Sequence, residues 1–389
     1  MFAFMLYPFI QALIIILCFV LPLKKLSITT RLILSFILGL GSLRIYIYLF
    51  TGGTIMDPLL SRYPAIIIDC VYFTTIFICL LTLVRMIVNG LFKLIRFDFK
   101  RYVIPAFSTR YAILFFMISA FLGCLGTING FIAPVDKYYS VFIENLPNEA
   151  SNFKIIHLAD LHISEPTTEA DIQEIVDRSN AKHPDLVVIT GDFVDGDIQR
   201  LDHMTKILFE LKAKYGVYAV SGNHEFYSGY QEWLDYFSKG GIKFLENDSV
   251  TLKDNEGHKL FNLLGLMDIS APRFGFEGAN IKKGAAKLDS TVPTIALTHQ
   301  PKTALDLDKI SSLTLAGHTH GGLMPGLRQI VASANAGFVS GLYEHQKQVV
   351  IVSNGTRIWA GVPLRLNTPS QLIIITLKNQ LSLAQDLTH

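Results

Sequence analysis

Leu186-Val187-Val188-Ile189-Thr190-Gly191-Asp192-Phe193-Val194-Asp195-Gly196 is the stretch whose reading decides the fold. Its first five residues form an apolar, β-branched run, which reads as a buried strand. A glycine-flanked turn follows, carrying two carboxylates three residues apart. In a sheet covered by helices, the turns beyond the carboxyl ends of strands are the usual place for ligands. A Gly-Asp turn alone is common punctuation. The question is whether other strands deliver matching groups to the same edge.

Four other runs do so. Residues 153–158 lead into Asp160-Leu161-His162, and residues 217–220 lead into Gly222-Asn223-His224-Glu225. Residues 294–297 end in His299-Gln300-Pro301, and residues 313–316 in Gly317-His318-Thr319-His320-Gly321-Gly322. Helical periodicity alternates with the early strands, placing Ile172, Ile175 and Val176 on one face and Leu201, Met204, Ile207, Leu208 and Leu211 on another. This layout predicts an α/β architecture with helices outside a sheet core. Runs at 262–267, 349–353 and 372–377 have little helix between them and predict a second sheet packed on the first. Residues 138–143 have strand composition and are expected to open the domain.

The strand ends collect Asp160, His162, Asp192, Asn223, His224, His299, His318 and His320. Imidazole and carboxylate together suit zinc, iron or manganese, and the lack of thiolates points away from a structural zinc. All four cysteines, Cys18, Cys70, Cys79 and Cys124, lie in the front of the chain, so the rest needs no disulfide framework.

The front is also different in charge. Residues 1–133 hold 11 of the 34 Lys and Arg but only 3 of the 32 acids, so the net +2 sums two opposite characters. It gives no ground for expecting nucleic-acid binding. Four apolar stretches, near residues 2–23, 32–50, 64–88 and 111–132, are long enough to span a bilayer. The first lacks the basic region of a cleavable signal and precedes further spans, so a retained helix is expected. Lys24, Lys25 and Arg31 separate spans one and two, while Arg85, Lys93, Arg96, Lys100, Arg101 and Arg110 flank or fill the gap between three and four. By the positive-inside rule both basic loops face the cytoplasm, and both termini face outward. The expectation is a multi-pass protein of a bacterial inner or plasma membrane, with its second half periplasmic or extracellular. Arg44 and Asp69 fall inside spans and are expected to form a structural ion pair, with a proton or ion path as the alternative.

In order, the blocks Asp160-x-His162, Gly191-Asp192-x-x-Asp195, Gly222-Asn223-His224-Glu225, His299 and Gly317-His318-x-His320 resemble the calcineurin-like metallophosphoesterase superfamily over roughly residues 137–380. The multi-span front, with Ser353-Asn354-Gly355 and Pro363-Leu364-Arg365, is similar to its bacterial membrane-attached branch. The resemblance implies a two-sheet β-sandwich flanked by helices, preceded by four transmembrane helices. It implies two divalent ions (manganese, iron or zinc): Asp160, His162 and His320 would hold the first, Asn223, His299 and His318 the second, with Asp192 bridging. It implies hydrolysis by a hydroxide between the metals, with His224 donating a proton to the leaving oxygen or stabilising charge on the phosphoryl group, and Asp195 fixing its tautomer.

The expected organisation is a membrane domain at 1–133 and a catalytic domain at 134–389. The expected function is hydrolysis of phosphate mono- or diesters, lipid-linked ones included, at a bilayer. Alternatives are a nucleotide-sugar lipid pyrophosphatase, whose site would face the cytoplasm, and a membrane sensor or transporter regulated by the phosphoesterase domain. Glu225 is expected to support the site and His157 to be satisfied within its strand. His183, His203, His258, His345 and His389 are expected at the surface. Asp268 ends a strand without an assigned role, and Arg365 is expected either to meet a substrate phosphate or to brace a late loop. Leu323, Met324, Leu327, Ile330, Val331, Phe338 and Leu342 read first as core, with a lip for a lipid tail as the alternative.

Overall fold

The structure, a computed structural model, describes residues 2–94, 105, 106 and 108–380. Arg96, Lys100, Arg101 and His389 lie outside the described residues. The chain divides into two compact units, Met1–Asn129 with Pro363–Leu366, and Gly130–Val362 with Asn367–His389.

The first unit is helical: α1 (Phe2–Ile14), α2 (Ile28–Ser42), α3 (Arg44–Phe50), α4 (Arg62–Leu94) and α5 (Thr109–Gly130). Of the four expected spans, α4 with 33 residues and α5 with 22 are long and apolar enough to cross a bilayer. The stretch near 32–50 is not one straight helix, because α2 and α3 meet at a 66° bend and make a third span only if taken together. The break falls at Leu43 (φ −92°, ψ 26°), directly after Gly41-Ser42, a pairing that weakens the helical ladder. The first apolar helix, Met5–Val20, is shorter than a full span and ends in a π-helical stretch, Ile15–Val20.

Arg44 and Asp69 do form an ion pair between α3 and α4. Tyr48 donates a hydrogen bond to the same carboxylate at 2.9 Å, and the Arg44 guanidinium lies 4.5 Å from the centre of the Tyr48 ring. In the late loop, the backbone of Arg365 is tied to α5. Its N–H donates to Gly126 at 2.8 Å, and its carbonyl accepts from Asn129 at 3.3 Å.

The second unit holds two mixed sheets of six strands. In chain order the strands are β1 (Val135–Phe142), β2 (Lys154–Leu158), β3 (Leu186–Thr190), β4 (Val217–Val220), β5 (Ile242–Phe244) and β6 (Asp248–Lys253), then β7 (Lys259–Gly265), β8 (Thr294–Leu297), β9 (Leu313–Ala316), β10 (Gly341–His345), β11 (Gln348–Val352) and β12 (Gln371–Lys378). One sheet runs β1-β12-β2-β3-β4-β5 and the other β10-β11-β9-β8-β7-β6. β2, β3 and β4 are parallel neighbours, as are β7, β8 and β9, so each sheet sends a block of carboxyl ends toward one edge.

Alternation along the strands builds two cores. Ile155, Val188, Leu263, Ile295 and Leu315 fill the space between the sheets. Ile156, Leu158, Val187 and Ile189 point the other way, onto α6 (Glu169–Asn180) and α7 (Ile198–Thr205), whose Ile172, Ile175, Val176, Leu201 and Met204 are buried as the periodicity predicts. Burying the apolar part of each such side chain contributes about 1.5–3 kcal/mol before entropy is counted.

One expectation fails here. The run at 372–377 belongs to the first sheet, as β12 between β1 and β2, antiparallel to β2. It is apolar on both faces, so its composition is the same for either sheet, and the partner is chosen by register with Tyr139 and Ile155 across Ile375.

Candidate active site

Five turns at one edge of the sheets bring the candidate ligands together. Asp160 and His162 follow β2, Asp192 follows β3, and Asn223 and His224 open α8 (Asn223–Ser228) after β4. His299 follows β8, while His318 and His320 follow β9. Asp160, His162 and His320 make one group whose ligand atoms lie within 4.8 Å of each other, and Asp192, His299 and His318 make a second. Asn223 joins the second through Oδ1, 3.1 Å from His299 Nε2. Asp192 Oδ2 lies 3.1 Å from His299 Nε2 and 3.6 Å from His162 Nε2, between the two groups. His224 Nε2 lies 3.9 Å from the same oxygen.

The backbone is forced to reach this arrangement. Asp160 (φ 51°), His162 (φ 43°), Asp192 (φ 55°), His318 (φ 72°) and His320 (φ 47°) all sit in the left-handed region. That costs about 1–3 kcal/mol per residue and persists where the surroundings over-determine it. Gly222 shows how tight the turn is, since a Cβ there would lie 2.1 Å from Asp192 Oδ1.

Several partners hold the turns. Glu225 accepts from the backbone N–H of Asp192 (3.0 Å), Phe193 (2.7 Å) and Gly222 (2.6 Å), which fastens the β3 turn to the β4 turn. Asp160 accepts from His318 N–H at 2.8 Å, and Asp192 from His224 N–H at 2.8 Å. The late Ser353-Asn354-Gly355 motif props the β9 turn. Asn354 accepts from Ser340 at 2.6 Å, and its side chain lies so close that a Cβ on Gly321 would meet it at 2.5 Å.

The donor set fits a cation. His299 gives its Nδ1–H to the Thr190 carbonyl at 2.8 Å, so its Nε2 lone pair faces two oxygens. His162 gives its Nδ1–H to Asp195 at 3.1 Å, leaving Nε2 facing His320 Nε2 at 3.1 Å. Two ring nitrogens at that distance need a proton or a metal ion between them. The acid–base balance says the same. Burial works to raise the Asp192 carboxyl, but His299 and His224 hold it well below the ordinary range. Burial works against the charged imidazoles, yet Asp192 draws a proton onto His299, and Asp192 with Asp195 lifts His224 to about 9. Burial and the neighbouring His299 push His318 down to about 3, which keeps it neutral and available as a ligand. Metal binding displaces such protons from its ligands.

Asp195 does more than its spacing suggested. It accepts from His224 Nδ1 at 2.5 Å and also from His162 Nδ1, so one carboxylate orients a candidate ligand and a candidate acid together. Sequence reading also missed the aromatic walls. Trp359 lies 5.6 Å and Tyr227 5.5 Å, ring centre to ring centre, from His224, both edge-on. Nothing in local spacing marks Trp359, which arrives from a loop far along the chain.

The remaining candidates separate cleanly. Asp268 accepts from Gln300 at 3.1 Å and from Ser270 N–H at 2.7 Å, closing a turn. His157 is only half satisfied: Nε2 pairs with Thr190 at 2.8 Å, while Nδ1 is buried without a partner, and burial lowers its pKa to about 3. His183, His203 and His258 are exposed and His345 half-buried. In the apolar stretch Phe338 is buried, whereas Leu327, Ile330 and Leu342 are exposed.

Such a fold and site define a metal-dependent phosphoester hydrolase. Residues 153–322 match the family described as calcineurin-like phosphoesterase. An uncharacterized metallophosphoesterase of Campylobacter jejuni is 33% identical over 268 residues, covering 68% of each chain. One of Aquifex aeolicus is 30% identical over 266 residues, 68% of this chain and 98% of that protein. A transmembrane protein with metallophosphoesterase domain from Danio rerio is 30% identical over 279 residues, 70% of this chain and 63% of that one. The chain belongs to the calcineurin-like metallophosphoesterases.

Proposed function

We propose that the protein is a membrane-anchored, dinuclear-metal phosphoesterase acting on phosphate mono- or diesters outside the cytoplasm. The observation that supports it most is the convergence of Asp160, His162 and His320 on one side of Asp192 and of Asn223, His299 and His318 on the other. These residues would hold two divalent ions, with Asp192 reaching both. When bound, the ions neutralise phosphoryl charge and activate water.

The chain's own part is proton handling and positioning. Asp195 keeps a proton on His224 Nδ1, which turns Nε2 toward the metal groups. Held this way, with Nε2 3.9 Å from Asp192 Oδ2, His224 is placed to give a proton to a leaving oxygen. Glu225 holds the Asp192 turn in register without touching substrate.

Residues 1–133 serve as the anchor and 134–389 as the catalytic part, with four passes when α1 and the bent α2–α3 pair each cross. Lipid-linked esters are a second substrate reading, favoured by exposed Leu327 and Ile330 on the helix that follows the His320 turn. The test is metal-dependent hydrolysis by the purified full chain in nanodiscs, offered soluble esters and lipid phosphates with manganese, iron or zinc. Absence of hydrolysis with every metal, in protein shown to bind two ions, would sink the proposal. A reporter fused after residue 389 tests the outward orientation.

A further inference from the structure

Exposed aromatic surface lies beside His224. α8 places His224 and Tyr227 three residues apart, on one face of a helical turn. The intervening Phe226 points into an aromatic cluster, stacked on Tyr230 at 4.4 Å and 9° and on Phe274 at 5.6 Å and 19°. Tyr227 in turn meets Phe274 edge-on at 5.2 Å. The base of this cluster is buried, with Phe226 at 8% and Tyr230 at 7% exposure, but its rim is open, with Tyr227 at 47%, Phe274 at 37% and Phe276 at 38%. The Trp359 ring also stands edge-on to His224, 5.6 Å between ring centres.

Leaving three large aromatic rings partly in water costs the fold burial it could have had. Their position gives the reason. A leaving group whose oxygen took its proton from His224 would lie near this rim, since the Tyr227 ring stands 5.5 Å from that of His224. The rings stand near perpendicular to each other, at 89° for Tyr227 against His224 and 78° for Tyr227 against Phe274. A planar ring fits such walls by edge-to-face and offset contacts. A flexible acyl chain fits adaptable aliphatic or methionine walls better, whereas Tyr227, Phe274 and Phe276 give this rim an aromatic face.

We infer that Tyr227, Phe274 and Trp359 form a leaving-group subsite selective for planar, aromatic alcohols. The inference rests on the phosphoesterase reading and on His224 facing the leaving oxygen. It deepens that reading by naming one side of the substrate.

The test uses non-hydrolysable probes on the metal-loaded full chain. Benzylphosphonate and cyclohexylmethylphosphonate are alike in size and differ in planarity. Calorimetry is expected to show benzylphosphonate bound about fivefold more tightly, the scale of one added aromatic pair. Phe274→Leu and Tyr227→Leu should each bring the ratio to within about twofold of one, while Phe142→Leu, on distant β1, should not change it. Equal affinities in the unaltered protein, a ratio untouched by both rim variants, or tighter binding of decylphosphonate would each overturn the subsite. Phosphonate binding needs no turnover, so the two readings fail separately. Selective binding without hydrolysis of benzyl phosphate would remove the enzyme reading and leave the subsite. Hydrolysis of benzyl and cyclohexylmethyl phosphates with no binding preference would do the reverse.

Discussion

The Arg44–Asp69 cluster in the helical unit and the Asp192 cluster at the sheet edge both bury charge, and they resolve it in opposite ways. Arg44, Asp69 and Tyr48 close on one another: cation meets carboxylate, and the phenol donates to the same oxygen. At the sheet edge, His299 Nε2 lies 3.1 Å from both Asn223 Oδ1 and Asp192 Oδ2, and His162 Nε2 lies 3.1 Å from His320 Nε2, so ring nitrogens and oxygens crowd together around Asp192. The first cluster is complete as a set of protein groups. The second is arranged for a guest, and five of its residues sit in left-handed backbone to make it so. A buried polar group that completes itself is structural; one that presents acceptors to acceptors is built to bind a cation.

The contrast can be broken most severely at Asp192. Asp192→Asn should empty both metal positions together and take turnover to background, read by elemental analysis alongside rate; retention of one full equivalent of metal would show that the residue does not join the two groups. His224→Gln comes next. It should keep both ions and lower kcat by about 10²–10⁴-fold, the usual worth of a general acid.

Asp195→Asn is expected to be milder and mixed. Because the carboxylate serves both His224 and His162, kcat and affinity for one metal should fall together, by roughly 10–100-fold each. A fall in kcat alone would confine Asp195 to His224. In the other cluster, Asp69→Asn leaves Arg44 buried without its counter-charge, so denaturant titration of the helical unit should show a loss of about 3–5 kcal/mol.

His157 lies outside both clusters, with Nε2 on Thr190 and Nδ1 buried without a partner. Folded, it stays neutral down to about pH 3, while the unfolded chain takes up the proton near 6.5. The unfolded state therefore binds more protons between those values, and stability is lost as pH falls through that window. Its share reaches about 1.4 kcal/mol per pH unit. His157→Phe should flatten the acid limb of the stability curve by that amount, and an unchanged limb would place the proton elsewhere.

Much of the site was legible because each ligand stands directly after a short apolar run, and a strand must end where its ligand begins. Asp160, His162, Asp192, Asn223, His299, His318 and His320 were singled out as candidates that way, and the structure brings them together, with Glu225 bonded to the Asp192 turn. Other features carry no local signal. The sheet joined by β12 was not readable, since an all-apolar strand suits either one. Nor was the second partner of Asp195, because His162 lies 33 residues away in sequence. The break at Leu43 was hidden inside an unbroken apolar run, where hydropathy averages over the Gly-Ser pair that permits it.

The sequence by itself determined the periodicities, the order of the strand-end motifs and the division into an apolar, basic front and a mildly acidic remainder. Those are properties of neighbours along the chain, governed by local propensity and spacing. Tertiary structure alone decided that Glu225 would fasten the Asp192 turn, that Asp195 would serve two histidines, and that Tyr227, backed by Phe274, and Trp359 would stand edge-on to His224. Each of these needs groups brought together across the fold, and packing and register, rather than local preference, choose which ones meet.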